Sequence, residues 1–158
     1  MDINTLRKDT DLVNLFCNLA EVPSPSLGEE NVIQWIVKYC ADNGIPCETD
    51  DYHNIHINIE ATDSTKSPIL LSSHMDVIGD DSPVNVYLDG DLIKAEGRTL
   101  GADDKAGVAN ALYFATQLVI SDLKHGGLEI VFTRDEESGM SGIKHVDFSK
   151  LQSKYVLV

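Results

Sequence analysis

Pro68-Ile69-Leu70-Leu71-Ser72-Ser73-His74-Met75-Asp76 is the stretch that decides how this chain folds. Ile69 to Leu71 form the continuous apolar run expected of a central strand covered on both faces, and such a strand delivers His74 and Asp76 at its carboxyl end. In open α/β sheets ligands gather outside those ends. A His-x-Asp there puts both side chains on one side of an extended chain, so one can bind a metal while the other orients its surroundings.

Working outward, Leu128 to Phe132 reads as a second buried strand, ending at Thr133-Arg134-Asp135-Glu136-Glu137, and Tyr155 to Val158 begins one more. Ile55, Ile57 and Ile59 alternate with His56, Asn58 and Glu60, which predicts a strand with one polar face and puts His56 toward solvent. Val84 to Leu88, Asp89-Gly90 and Leu92 to Ala95 read as a hairpin. Helical spacing predicts a helix from Asp9 to Ala20 with Asp9 or Thr10 as cap, and a second after Glu29-Glu30 that buries Val32, Ile33, Ile36, Val37 and Cys40. Asn43-Gly44 and Pro46 end that second helix. From Lys105 to Ile120 an apolar helix follows Gly101-Ala102-Asp103-Asp104, whose carboxylates sit where the helix dipole favours negative charge. Strands alternating with helices argue for an α/β layered domain.

Composition narrows the function classes. The chain has 158 residues, enough for one domain with a real core, and 26 acidic against 12 basic residues give a formal charge of −14. That balance repels phosphate backbones and anionic lipids and leaves no basic patch, so nucleic-acid and membrane partners are disfavoured. Most of the acids serve solubility, since only six fall in the three motifs. Cys17, Cys40 and Cys47 are odd in number and lack CxxC spacing, as expected of buried thiols in a reducing compartment. The start Met-Asp-Ile-Asn-Thr-Leu-Arg-Lys has no basic segment leading into an apolar one, and no run reaches about 18 apolar residues. A cytoplasmic protein is the expectation.

Each acidic motif has a plain reading when taken alone. A single histidine is more often a satisfied polar residue than a ligand, and Asp103-Asp104-Lys105 serves equally as an N-cap with a solvated turn. Asp135-Glu136-Glu137 after a buried strand is harder to explain, because three like charges repel unless cations lie nearby. Jointly the motifs supply one imidazole, one carboxylate able to bridge two ions, and adjacent carboxylates that can divide into ligand and base. This is the donor set of a two-metal hydrolase, in which a glutamate takes the proton of a shared water.

Ser73-His74-Met75-Asp76-Val77, Leu100-Gly101-Ala102-Asp103-Asp104-Lys105-Ala106-Gly107 and Thr133-Arg134-Asp135-Glu136-Glu137-Ser138-Gly139 resemble, in order and spacing, the three signatures of the dinuclear-zinc peptidase and deacylase family that includes peptidase T, succinyl-diaminopimelate desuccinylase and acetylornithine deacetylase. Ser24-Pro25-Ser26-Leu27-Gly28-Glu29-Glu30 and His53-Asn54 resemble its amino-terminal segment. Only 29 positions separate His74 from Asp103, which is similar to the peptidase T branch rather than to relatives with a domain inserted there.

The resemblance implies an α/β/α zinc-peptidase-like catalytic domain with a mixed sheet. It makes His74 a ligand of one metal, Asp103 the bridge, Glu137 a ligand of the other metal, Glu136 the general base, and Asp76 the residue that orients His74. It implies two divalent ions, zinc foremost with cobalt or manganese also accommodated, and a short peptide or acylated amino acid as substrate. The parent is expected to be a homodimer. The family takes a further aspartate and a histidine from later in its chain, so residues 1–158 are expected to be the amino-terminal portion of the catalytic domain, without the dimerisation and lid domain and inactive alone. Two other classes remain open: a non-catalytic protein whose exposed last strand self-associates, and a fold holding one structural ion.

Overall fold

A computed structural model of the chain describes residues 2–158. Its elements run α1 (Ile3–Asp9), α2 (Asp11–Ala20), α3 (Glu30–Asp42), β1 (Cys47–Thr49), β2 (Ile55–Ile59), β3 (Ile69–His74), β4 (Val86–Asp89), β5 (Leu92–Ala95), α4 (Ala102–Ile120), β6 (Leu128–Thr133) and β7 (Val156–Leu157), with 3-10 turns at Gly142–His145 and Phe148–Lys150. Five strands form one sheet in the order β1-β2-β6-β3-β7, and β4 and β5 pair separately as a hairpin. β2 runs antiparallel to both its neighbours, β1 and β6, while β6, β3 and β7 are mutually parallel. The sheet is mixed and the class α/β, as expected.

Alternation along the strands divides the sheet into two faces. Ile55, Ile57 and Ile59 of β2 and Leu128, Ile130 and Phe132 of β6 join Leu15, Leu19, Val32, Ile36, Val108, Leu112 and Ala115 in the main core, so α2, α3 and α4 cover one face. On the other face Leu70, Val131 and Val146 form a smaller cluster with Ile143 and Leu151, supplied by the 3-10 turns. Among the described residues no helix is long and apolar enough to cross a membrane. The three cysteines are free, with Cys17 and Cys40 buried.

Several local expectations change. α1 was not foreseen: Asp2 accepts a bond from the Thr5 amide at 3.0 Å and opens it, and Arg7 then bonds Glu21 at 2.7 Å to hold α1 against α2. Thr10 precedes α2 but makes no side-chain cap. Val37 is 39% exposed, because the buried stripe of α3 is narrower than its apolar sequence. His56 does not face open solvent; it is half-buried, with Nε2 3.1 Å from Asp50 Oδ2.

Asp50 organises the turn between β1 and β2. Its carboxylate accepts from the Tyr52 and Asn54 amides, both at 2.9 Å, and from Asn54 Nδ2 at 2.8 Å. Burial works against ionisation, but the bonds from Asn54, His56 and Tyr52 outweigh it and hold the carboxyl below its usual range. A depressed folded pKa contributes stability above the unfolded value, and that contribution is lost as pH falls through the folded value. We predict that Asp50→Asn lowers unfolding free energy by about 1 kcal/mol at pH 7 and that the difference from the parent shrinks below about pH 4, as read by urea titration.

Candidate metal centre

Parallel pairing of β3 with β6 puts His74 level with Thr133, and the Met75 amide donates to the Thr133 carbonyl at 2.8 Å. The segments that leave these two strands, Met75-Asp76 and Arg134 to Glu137, therefore run side by side. Asp103 comes from a third direction, at the start of α4 and not from a strand end. Gly101 enters that helix at φ 69°, where a Cβ would also lie 2.8 Å from Val77 Cγ1, so glycine is required on both counts. Asp103 and Asp104 keep non-helical angles, and the peptide between them is cis.

These elements bring three of the expected residues together. Donor atoms of His74, Asp103 and Glu137 all lie within 4.8 Å of one another, and among the described residues they form the one such cluster. His74 Nδ1 is engaged by the main-chain carbonyl of Asp76 at 2.8 Å, which leaves Nε2 pointing at Asp103 Oδ1, 3.1 Å away, with Glu136 Oε2 at 3.9 Å. The Asp103 carboxylate is 88% exposed. Both ring nitrogens thus face acceptors. Burial disfavours the imidazolium, yet bonds to the Asp76 carboxylate and carbonyl and to Asp103 push the His74 pKa up to about 9.

Asp76 is placed differently from the simple His-x-Asp reading. It is fully buried, and its carboxylate lies 3.5 Å from His74 Nδ1. Its closer partners are the amides of Glu136, at 2.9 Å to Oδ1, and Glu137, at 3.1 Å to Oδ2. The carbonyl orients the imidazole, while the carboxylate fixes the backbone under the two glutamates. Burial resists the negative charge, but the bonds from His74, Ser26 and the Glu136 and Glu137 amides hold the carboxyl well below its usual range.

Sequence reading missed the supports. Glu29 is fully buried and accepts from Arg134 Nη2 at 2.7 Å and Nε at 3.0 Å, and from the Asp135 amide at 3.0 Å. Asn54 is also buried, receiving the Arg134 amide at 3.1 Å and donating to the Gly142 carbonyl at 3.0 Å. Asp135 lies 4% exposed, its carboxylate bonded by Ser138 Oγ, and it is not part of the cluster of His74, Asp103 and Glu137. Lys105 is 1% exposed, with Nζ donating to the Val22 carbonyl, and burial pushes its pKa down to about 8. One signal was available: Glu29, Arg134 and Asp135 are charges that neither helical nor strand periodicity accounts for.

One imidazole and two carboxylates within a few ångströms suit a divalent ion of the zinc, cobalt or manganese type. A cavity of about 530 Å³ beside Cys47, His56 and Glu129 lies on other strands and includes none of the triad.

Gly107 sets how closely α4 approaches His74. A Cβ there would stand 2.5 Å from Ser73 Oγ and collide with the Asp104 carboxylate, which itself accepts from the Gly107 amide at 3.0 Å. Alanine in a helix ordinarily gains up to about 1 kcal/mol over glycine, but overpacking of this kind costs about 1–3 kcal/mol. Gly107→Ala should therefore destabilise the chain in urea unfolding and shift the NMR signals of the His74 ring. Unchanged stability and ring signals would show that the helix start moves aside freely.

Comparison with known proteins bears on the same segment. The chain is 32% identical over 158 residues to the cytosol non-specific dipeptidase of Escherichia coli, covering 92% of this chain and 32% of that protein. It is 31% identical over 141 residues to peptidase T of Citrobacter koseri, covering 89% of this chain and 32% of that one. Among solved structures, aminopeptidase PepT of Bacillus cereus superposes with a TM-score of 0.85 at 31% identity, over 92% of this chain and 41% of that chain. This chain thus spans about a third of the length of these curated relatives. The sequence pattern of peptidase family M20/M25/M40 matches residues 70–155, from the strand that carries His74 past the turn that carries Glu137, and the chain belongs to that family.

Proposed function

We propose that this chain contributes metal ligands and a general base to a metal-dependent hydrolase of short peptides, as part of a larger catalytic domain. The observation that carries the reading is the convergence of His74, Asp103 and Glu137 within 4.8 Å, with Glu136 3.9 Å from His74. Family membership and relatives named as peptidase T and dipeptidase support peptides over acylated amino acids as substrates. The span of about a third of those relatives supports the larger domain, of which residues 1–158 supply the amino-terminal portion.

In this reading His74 Nε2, Asp103 and Glu137 would hold two divalent ions, zinc foremost, with His74 on one, Glu137 on the other and Asp103 on both. The ions supply Lewis acidity, lowering the pKa of water and polarising the scissile carbonyl. The chain's own residues do the rest. The Asp76 carbonyl keeps the Nδ1 proton, so Nε2 presents its lone pair; the Asp76 carboxylate holds the turn, so Glu137 points inward; and Glu136 takes a proton from water and returns it to the departing amine. A cytoplasmic location, supported by three free cysteines and a relative named for the cytosol, and a homodimeric parent complete the proposal.

Zinc calorimetry on the chain and its variants tests the assignment. Glu137→Ala and His74→Ala should each weaken binding by at least about tenfold, whereas Glu136→Gln should bind within about threefold of the parent and, in the complete enzyme, lower tripeptide turnover by about 10²–10⁴. Parent-like binding in Glu137→Ala would contradict the ligand set. Turnover of N-acyl amino acids in place of tripeptides would move the substrate to the deacylase class.

A further inference from the structure

The amino-terminal loop between α2 and α3 touches both segments that carry the centre. Ser24 is fully buried; its hydroxyl donates to the Met75 carbonyl at 2.8 Å, and its own carbonyl accepts from the Val77 amide at 2.9 Å. Pro25 and Val77 form a parallel bridge there, so the loop pairs with the chain on both sides of Asp76. The Gly28 amide closes a turn onto the Pro25 carbonyl at 2.8 Å, and Leu27 adopts φ 65°. The next residue but one, Glu29, receives the Leu27 amide at 3.1 Å and the Asp135 amide at 3.0 Å. Between these anchors Ser26 Oγ donates to Asp76 Oδ2 at 2.6 Å.

Each oxygen of Asp76 then has a defined load. Oδ2 accepts from Ser26 and the Glu137 amide, and Oδ1 accepts from the Glu136 amide with His74 Nδ1 at 3.5 Å. Without Ser26 each oxygen of Asp76 would accept from one backbone amide, and its orientation about the Cβ–Cγ bond would be held less firmly. A third donor, on a loop fixed at both ends, restricts that orientation further. We infer that Ser26 is a positioning residue for the metal centre, acting through Asp76 to set where the backbone of Glu136 and Glu137 sits. The inference rests on the reading of Glu136 as base and Glu137 as ligand only for its catalytic meaning; the positioning itself is a property of the metal-free chain.

The test uses Ser26→Ala and Ser26→Thr, the second keeping the hydroxyl, with two readouts. In the metal-free chain, hydrogen exchange of the Glu136 and Glu137 amides should speed up several-fold in Ser26→Ala and return to the parent rate in Ser26→Thr, while an amide of the β1–β2 turn such as Asn54 is unaffected. In cobalt titrations followed by visible absorption, Ser26→Ala should weaken binding by about tenfold and change the band shape, and Ser26→Thr should restore both. Unchanged exchange in Ser26→Ala, or equal acceleration at Asn54, overturns the positioning role. Local exchange effects together with no cobalt bound by the parent chain would uphold the positioning and bring down the metal-ligand reading instead. Local exchange effects with parent-like cobalt affinity and spectrum in Ser26→Ala overturn the inference that the positioning reaches the metal centre.

Discussion

Three consecutive amides, those of Asp135, Glu136 and Glu137, donate to two fully buried carboxylates, Glu29 for the first and Asp76 for the other two. Everything at this end of the sheet depends on that arrangement. A buried carboxylate is tolerated only when its acceptor positions are filled, and here the donors are the backbone of the turn that must present two further carboxylates to the site. The turn cannot shift without stranding a buried charge, and a buried acceptor left unpaired costs about 1–3 kcal/mol, more when it is charged. Rigidity at the glutamates is thereby obtained from acids elsewhere in the chain.

The same arrangement concentrates negative charge. Glu29, Asp76, Asp103, Glu136 and Glu137 lie close together, and Arg134 and the His74 imidazole are the basic side chains that touch them. Arg134 is committed to Glu29, and Lys105 is buried against a carbonyl. The charge facing His74 Nε2 is left to a proton or a metal ion. That is a physical reason, independent of any resemblance, for a cation to bind between His74, Asp103 and Glu137.

Much of this was legible in the sequence because it rests on short-range signals. Apolar runs at Ile69–Leu71 and Leu128–Phe132 mark buried strands, and the polar residues that follow each run must emerge at its carboxyl end. His74 and Glu137 follow from that rule, and the apolar period after Asp103 marks the helix it begins. Long-range matters were not legible. The burial of Glu29 depends on Arg134, more than a hundred positions away, and no local period encodes that pairing. Asp76 was read as the partner of His74 because the two are neighbours in the chain, whereas its carboxylate reaches across to the next strand's turn. Val37 looked buried because propensity counts apolar residues without knowing how far a neighbouring element extends.

The central claim is that one histidine and two carboxylates from separate elements form one metal centre. Zinc-edge X-ray absorption of the chain loaded with one equivalent of zinc tests it directly. The account predicts a shell of nitrogen and oxygen at about 2.0–2.1 Å with the outer-shell scattering of a single imidazole and no sulfur. Sulfur at about 2.3 Å, which would place the ion at the cysteines, or a shell without imidazole scattering, would contradict it.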